Sequence, residues 1–460
     1  MEFIGRKEEL NILNDAYLSD KYEGIVVYGR RRIGKSEIIK QSFKNKNIKA
    51  IYYECSKATE ELNVELMCEA VSKELGIPKP AFKHINEFLS YLFEYASNDK
   101  LIFVIDEYPY LRGKDSYLDS VIQTVIDKYR MSSKLKLIIC GSYVDVMSEL
   151  IQENSPLYGR FTYKINVKQM NYLESAEFYP TFSNEDKVKL YSVFGGVPYY
   201  NQYIDKNLSV KENIINLIAS PNARLLSEAE SFLSHEIVKL NNANEVFNAI
   251  ALGNKKFSDI LAKSHVSSSP RLASVLTSLI NMDIIEKYYP INDESEKKSL
   301  YEITERLSKF YYKYIFRNKS MFYTMPSDTF FDEIIEDDYN TQYVPKEFES
   351  ITKQYLLIEN KNHRINPVLY KIGKYYYDDP KNKINGEFDV VTYSKDGYDF
   401  YEVKFRDGKL SDAVVNEEKY QLDKLKIKYN KLGFVSKSGF DIKNSSDYIL
   451  IDLRDIYKKT

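Results

Sequence analysis

Residues 29 to 36 read Gly29-Arg30-Arg31-Arg32-Ile33-Gly34-Lys35-Ser36, which satisfies the G-x-x-x-x-G-K-[ST] pattern of a phosphate loop. The apolar run Ile25-Val26-Val27-Tyr28 precedes it and reads as a buried strand. Glu37-Ile38-Ile39-Lys40-Gln41-Ser42-Phe43 follows it and reads as a helix. A strand, a glycine loop and a helix in that order constrain the chain to an α/β architecture with the loop at a strand's carboxyl end. Gly29 and Gly34 let the backbone curl so that the N–H groups of the loop, Ile33 among them, face a phosphate beside a helix N-terminus. Lys35 is then expected to reach the β- and γ-phosphates, and Ser36 to offer its hydroxyl to Mg²⁺. ATP with Mg²⁺ is the expected ligand.

Composition narrows the surroundings of that site. A length of 460 residues predicts about three domains. The chain has no run of eighteen apolar residues and no basic-then-apolar leader, so neither a membrane partner nor a secretory route is expected, and a cytoplasmic protein is. Cys55, Cys68 and Cys140 are too few and too scattered for a disulfide framework or a zinc site. His84, His235, His265 and His363 show no ligand spacing and read as structural or surface residues. With 65 basic and 67 acidic residues the net charge is −2, so any nucleic-acid contact must come from a local basic patch.

A second motif complements the first. Leu101-Ile102-Phe103-Val104-Ile105 is an unbroken apolar run, as a strand covered on both faces requires, and it ends in Asp106-Glu107. Asp106 is expected to hold Mg²⁺ through water and Glu107 to orient and deprotonate the attacking water. A further strand, Leu135 to Cys140, leads into Gly141-Ser142. Ser142 has two readings, a sensor of the γ-phosphate or the water, and a cap for the helix that begins near Val144. With a strand over 49–55, the pattern is β-α-β-α-β.

These motifs resemble the archaeal-type ATPases of the AAA+/STAND group. Phe3-Ile4-Gly5-Arg6-Lys7-Glu8-Glu9-Leu10 is similar to that family's F-[IV]-G-R-x-x-E-L opening, which implies that Gly5 and Arg6 lie near the adenine. Ser155-Pro156-Leu157-Tyr158-Gly159-Arg160 resembles its S-P-L-Y-G-R segment. The resemblance makes Arg160 a candidate arginine finger acting between subunits of a homo-oligomer, or an interdomain sensor; the other reading is a surface ion pair. Gly195-Gly196-Val197-Pro198 resembles the glycine-x-proline motif in which Pro198 packs near the adenine, although Gly-Gly-x-Pro also simply breaks a helix. On this reading residues 1–170 form the ATPase core and 171–240 a helical lid.

Residues 241–320 are expected to form a winged helix and a connecting helix. Phe257 to Ala262 starts a short helix, Ser267 to Pro270 a turn, and Leu272, Val275, Leu276, Leu279 and Ile280 fall at helical spacing before a strand over 284–289. Its second helix carries only Arg271 and a few serines, thin for DNA contact. The fourth region, 321–460, opens its chemistry with a strand Glu387 to Tyr393, a turn at Asp396-Gly397 and a return strand Phe400 to Lys404. Asp389 with Glu402-x-Lys404 is the D…E-x-K arrangement of PD-(D/E)xK nucleases, and a period of two puts Glu402 and Lys404 on one face. Asp389 and Glu402 would bind Mg²⁺ or Mn²⁺, and Lys404 would position water or stabilise charge. The alternative is a solvated charged hairpin.

Many archaeal-type ATPases carry a nuclease-like C-terminal domain, and the resemblance extends here. Glu349 resembles the helical glutamate that completes such a site, Tyr301 to Tyr311 a helical segment before it, and Phe434 to Phe440 that domain's final strand and turn. The implied fold is α/β: a parallel-sheet phosphate-loop core, a helical lid, a winged helix, and an α/β restriction-endonuclease-like domain. The implied function is ATP hydrolysis that controls a DNA-acting, metal-dependent nuclease domain. The competing reading is an ATP-dependent signalling or assembly switch whose C-terminal domain only binds. Convergence of Asp389, Glu402, Lys404 and Glu349 on one cavity separates the two.

Overall fold

The computed structural model describes residues 3–113, 117–230, 242–379 and 384–458, and the chain divides into two compact units. The first comprises Met1–Gln169 with Val197–Tyr199, and the second Met170–Gly196 with Tyr200–Thr460.

In the first unit, α1 (Lys7–Leu18) leads into β1 (Glu23–Tyr28), α2 (Lys35–Phe43), β2 (Lys49–Glu54), α3 (Glu60–Leu75), α4 (Ile85–Tyr95) and β3 (Leu101–Asp106). Then come α5 (Tyr108–Arg112), α6 (Tyr117–Tyr129), β4 (Leu135–Gly141), α7 (Val144–Glu149) and β5 (Tyr163–Asn166). The five strands form one sheet in the order β2-β3-β4-β1-β5, and every pairing is parallel. Parallel neighbours need crossovers, and the helices that supply them cover the faces. Hence β3 and β4 are buried at every position, and Phe88, Leu92, Phe103, Ile122, Ile126 and Leu137 share one core. The order reverses at β1, whose neighbours are β4 and β5. Such a switch opens a crevice at the carboxyl ends of the strands. Tyr28 pairs with Gly141 and Ile105 with Ile139, so residues 29, 106 and 142 emerge along that one edge.

The second unit begins with helices Tyr172–Ala176, Asn184–Phe194 and Val210–Leu217. Gly196 lies against the Met170 backbone so closely that a Cβ there would meet the Met170 carbonyl oxygen at 1.9 Å. His235 lies outside the described residues. Helices Ala243–Ala251, Phe257–Lys263 and Ser269–Asn281 precede an antiparallel hairpin of β6 (Ile285–Tyr288) and β7 (Leu300–Ile303). Ser268 caps the third helix, accepting from the Arg271 N–H, and Pro270 stands in its first turn, where its missing donor costs nothing. The expected helical segment from Tyr301 is corrected here. Residues 301–303 pair with β6 as a strand, and the helix starts only at Arg306, where the Glu305 carboxylate accepts from the Ser308 N–H at 2.6 Å.

After the helix Val344–Lys361, β8 (Lys371–Asp379), β9 (Ile384–Ser394) and β10 (Gly397–Lys404) form an antiparallel meander. The short β11 (Leu410–Ser411) and the helix Asp412–Lys424 then cross to β12 (Lys431–Ser436), which runs parallel to β10. A small β13 (Phe440–Asp441) pairs with β11, and β14 (Ile449–Asp452) adds to the edge, giving the order β14-β12-β10-β9-β8. The Phe434 segment is therefore not the last strand: β14 follows it and lies parallel beside β12. Phe388, Val391, Phe400, Leu422 and Phe434 make the core of this second sheet.

Candidate functional site

The loop after β1 has the backbone that its glycines were expected to permit. Gly29 (φ 150°) and Gly34 (φ 93°) are in the region that side chains avoid. A Cβ on Gly29 would meet the Val167 carbonyl oxygen at 2.5 Å, so any other residue would drive the loop from its support. Lys35 is 6% exposed, and its Nζ donates to the carbonyls of Gly29 (2.8 Å) and Arg30 (2.9 Å). The ammonium thus curls over the hollow of the loop. An anionic phosphate oxygen there would replace neutral acceptors by a stronger charge-assisted one.

Arg6 is also buried. Its guanidinium donates to the Ile33 carbonyl (2.9 Å), the Lys168 carbonyl (2.7 Å) and Glu9 (3.0 Å). The residues after Gly5 are thereby stitched to the phosphate loop itself. Pro198 comes to the same place, with its Cγ 3.8 Å from where a Gly34 Cβ would stand, and Arg32 stacks on Tyr199 at 3.9 Å.

Opposite the loop, Ser36 Oγ donates to Asp106 at 2.7 Å, and Tyr52 of the neighbouring β2 donates to the same carboxylate oxygen. Burial would raise the Asp106 pKa, but hydrogen bonds from Tyr52, Cys140, Ser36 and the Glu107 N–H outweigh it and hold the group below its ordinary range. A hydroxyl and a carboxylate oxygen at the loop are the hard donors that Mg²⁺ takes. Glu107 has left-handed backbone (φ 50°, ψ 43°), which turns its side chain out of the strand. Ser142 Oγ bonds its carboxylate at 2.9 and 3.0 Å, and the Ser142 N–H adds a third bond at 3.3 Å. The helix at Val144 is preceded by Tyr143 with no side-chain cap, so Ser142 serves Glu107 rather than the helix.

Arg160 forms a two-pronged pair with Asp127 of α6 (2.8 and 3.3 Å) and donates to the Tyr158 carbonyl. Within this chain it is the ion pair of its two readings.

Tyr52 was not singled out in the sequence, because its role depends on the strand order, which no local pattern carries. Replacing it with phenylalanine leaves Ser36 as the donor to that oxygen and loosens Asp106. A Tyr52→Phe protein is expected to need several-fold more Mg²⁺ for half-maximal ATP hydrolysis, with metal-free ATP binding unchanged. A Mg²⁺ titration of phosphate release checks this, and an unaltered midpoint removes Tyr52 from the site.

The second constellation lies in the C-terminal sheet. Glu349, Asp389, Glu402 and Lys404 all line one cavity of about 310 Å³, with Glu387, Glu418 and Gln421. Asp389 from β9 accepts from Lys346 (2.8 Å) and Lys374 (2.9 Å), and Lys374 also bonds Glu387 at 3.1 Å. Burial works against the Asp389 charge, yet these lysines hold its carboxyl far below the usual range. Glu349, on the helix Val344–Lys361, is pushed up to about 7 by burial and by the Asp389 charge, despite Lys346 at 3.0 Å. Glu418, from the helix Asp412–Lys424, is pushed up to about 7 by burial and by Glu402. Lys404 pairs with Glu402, as two residues on one strand face can.

The carboxylate oxygens suit Mg²⁺ or Mn²⁺ by type. Among the described residues, however, no group of three or more His, Cys, Asp or Glu side chains stands ready to hold a metal ion. Lys346 and Lys374 are both seated at Asp389, and Lys404 at Glu402. Sequence reasoning missed Lys346, Lys374 and Glu418. Lys346 could have been found, since it stands three residues before Glu349 on a helix.

Residues 3–204 match the family described as an ATPase domain predominantly from Archaea, and residues 311–420 match one described as archaeal and bacterial proteins of unknown function. An uncharacterized protein of Methanocaldococcus jannaschii is 30% identical over 98% of this chain and 99% of its own length. An uncharacterized ATP-binding protein of the same organism is 47% identical over 10% of this chain and 80% of its own. Among solved structures, a Walker-type ATPase of Pyrococcus abyssi is 18% identical, with a TM-score of 0.51 over 68% of this chain and 96% of that one. That likeness concerns the fold.

Proposed function

Since the chain belongs to the archaeal-type ATPase family through residues 3–204 and aligns over 98% of its length with the Methanocaldococcus jannaschii relative, we propose that it hydrolyses ATP and that nucleotide state controls a metal-dependent nuclease domain acting on DNA. The ATPase half rests on the loop, with Lys35 gripping phosphates, Ser36 and Asp106 holding Mg²⁺, and Glu107 activating water under the hand of Ser142. The nuclease half rests on one observation, that Glu349, Asp389, Glu402 and Lys404 share a cavity. They come from a helix and two strands up to 55 positions apart in the chain, and a merely solvated hairpin gives no reason for Glu349 to join it.

In that cavity Asp389 and Glu402 are the residues to hold Mg²⁺ or Mn²⁺, which when bound polarises a phosphoryl oxygen and supplies a nucleophilic water. The Lys404 ammonium is placed to stabilise charge as the phosphodiester opens. Glu349 is the candidate to take a proton near neutral pH, where its pKa of about 7 suits a general base. A second reading draws on the two lysines seated at Asp389: the domain then only binds, and ATP drives an assembly or signalling switch.

An assay on linear, circular and branched DNA with Mg²⁺ or Mn²⁺, with and without ATP, decides between them. Cleavage is expected, reduced at least about a hundredfold in Lys404→Ala, and sensitive to Lys35→Ala if ATP controls it. Absence of cleavage under every condition would leave the ATPase and turn the C-terminal domain into a binding module.

A further inference from the structure

We propose that a second cavity, walled by the β6–β7 hairpin (the wing) and by β8, is the phosphate-binding entrance for a single DNA strand on its way to the C-terminal site. The inference rests on the DNA-acting reading above. The cavity is about 370 Å³ and is lined by Lys255, Lys256 and Lys298, with Asp259, Tyr376 and Glu387. Its walls have fixed backbones. Lys256 bridges to Leu300, and the Tyr301 N–H donates to the Lys255 carbonyl at 2.9 Å, so the lysine loop is pinned to β7. Asn292 exchanges two hydrogen bonds with the Tyr376 backbone, 2.8 and 3.1 Å, which fastens the wing to β8. Lys298 rides the Tyr376 ring at 4.7 Å.

Three lysines face two carboxylates here, and one carboxylate is already committed. Glu387 accepts from Lys255 at 3.2 Å and from Lys374 at 3.1 Å. Burial first, and then the Lys374 charge, push the Lys255 pKa down against the pull of Glu387 and Glu302. Lys256 is exposed and Lys298 half-buried, so both can reach a ligand from solvent.

Position gives the cavity its role. Glu387 lines it and also lines the cavity that holds Asp389, Glu402 and Lys404, so the two hollows are neighbours that share that residue as a wall. A strand whose phosphates rest on Lys256 and Lys298 would continue past Glu387 to the acidic site. The volume falls in the range of small-ligand pockets and admits roughly one nucleotide. A duplex keeps its bases stacked and cannot place a nucleotide in such a hollow, whereas a single strand can. The helix Ser269–Asn281, which a winged helix would ordinarily send into a groove, has Arg271 as its sole cation. The basic residues gather instead at Lys298 of the hairpin and at Lys255 and Lys256, in the loop before the helix Phe257–Lys263.

The test uses the full chain, a fluorescent single-stranded oligonucleotide of about twenty residues, EDTA to prevent cleavage, and a salt series. Wild type is expected to bind the strand more tightly than the matching duplex. Lys256→Glu with Lys298→Glu is expected to weaken binding at least about tenfold and to flatten the salt dependence by one to two phosphate contacts. Lys256→Arg with Lys298→Arg is expected to restore it, and melting temperature serves as the fold control. Wild-type affinity in the charge-reversed protein, equal affinity for duplex, or no strand binding by wild type would each overturn the entrance. Cleavage that persists in wild type and falls in Lys404→Ala would then show that the nuclease reading survives without it. Loss of both binding and cleavage would end both.

Discussion

A Glu107→Gln protein will bind ATP with wild-type affinity and hydrolyse it at least about a hundredfold more slowly. The expectation comes from how the residue is held. Left-handed backbone is costly for a glutamate and persists where surrounding structure enforces it, commonly at functional sites. Here β3 ends at Asp106, the Glu107 N–H bonds the Asp106 carboxylate at 2.9 Å, and two groups of Ser142 fix the Glu107 carboxylate. Glutamine keeps the length, the shape and one oxygen for Ser142, so the loop and Lys35 are undisturbed. What it cannot do is accept a proton from water. Ser142→Ala should be milder, lowering the rate about tenfold through misplacement of Glu107 with ATP affinity unchanged. Phosphate release measured beside equilibrium binding of a fluorescent ATP analogue separates the two effects. A Glu107→Gln rate within a few-fold of wild type would hand the role of base to another residue.

How much of this could be read in the chain depended on the distance over which each feature is encoded. The phosphate loop and its flanking strand and helix are local, and so are the apolar runs of β3 and β4, whose burial on both faces admits a polar residue only with a partner, as at Asp106 closing β3 and at Lys136 in β4, whose ammonium donates to the Lys21 carbonyl. Glu402 and Lys404 were legible as a pair because strand period alone puts them together. Partners supplied by the fold were not. Tyr52 reaches Asp106 because β2 lies beside β3, and Lys374 reaches Asp389 because β8 lies beside β9. The strand at 301–303 was misread because the resemblance carried a helix back to Tyr301, and only pairing with β6 decides. The lone Ser142 had two chemically sound uses. Its choice of Glu107 follows from β3 and β4 being neighbours, again a fact of the sheet and not of the segment.

Glu349→Gln should make the protein more stable at pH 8 while abolishing whatever cleavage it performs. With the folded pKa near 7 and an ordinary value of 4.5, the sign follows from linkage. Below about pH 4 the carboxyl is protonated in folded and unfolded chains, and it contributes nothing. Between the two values the unfolded chain ionises while the folded chain resists, so stability is lost as pH rises, and the loss is complete above about pH 7. The side chain is 17% exposed, and Lys346 and Asp389 act on it in opposite directions, so a penalty on the order of 2 kcal/mol is expected. Glutamine carries no charge to bury, and Lys346 retains Asp389 as its partner. Metal-free melting curves should therefore show a gain for the variant that is small at pH 5 and grows toward pH 8. An equal gain at both values, or a loss at pH 8, would mean that burial and the Asp389 charge do not raise the Glu349 carboxyl in the folded chain. The same substitution removes the proton acceptor proposed for the cavity, at a cost of about a hundredfold or more in cleavage. A residue whose removal raises stability and lowers activity is kept for its chemistry, and a carboxylate on a merely solvated hairpin would do neither.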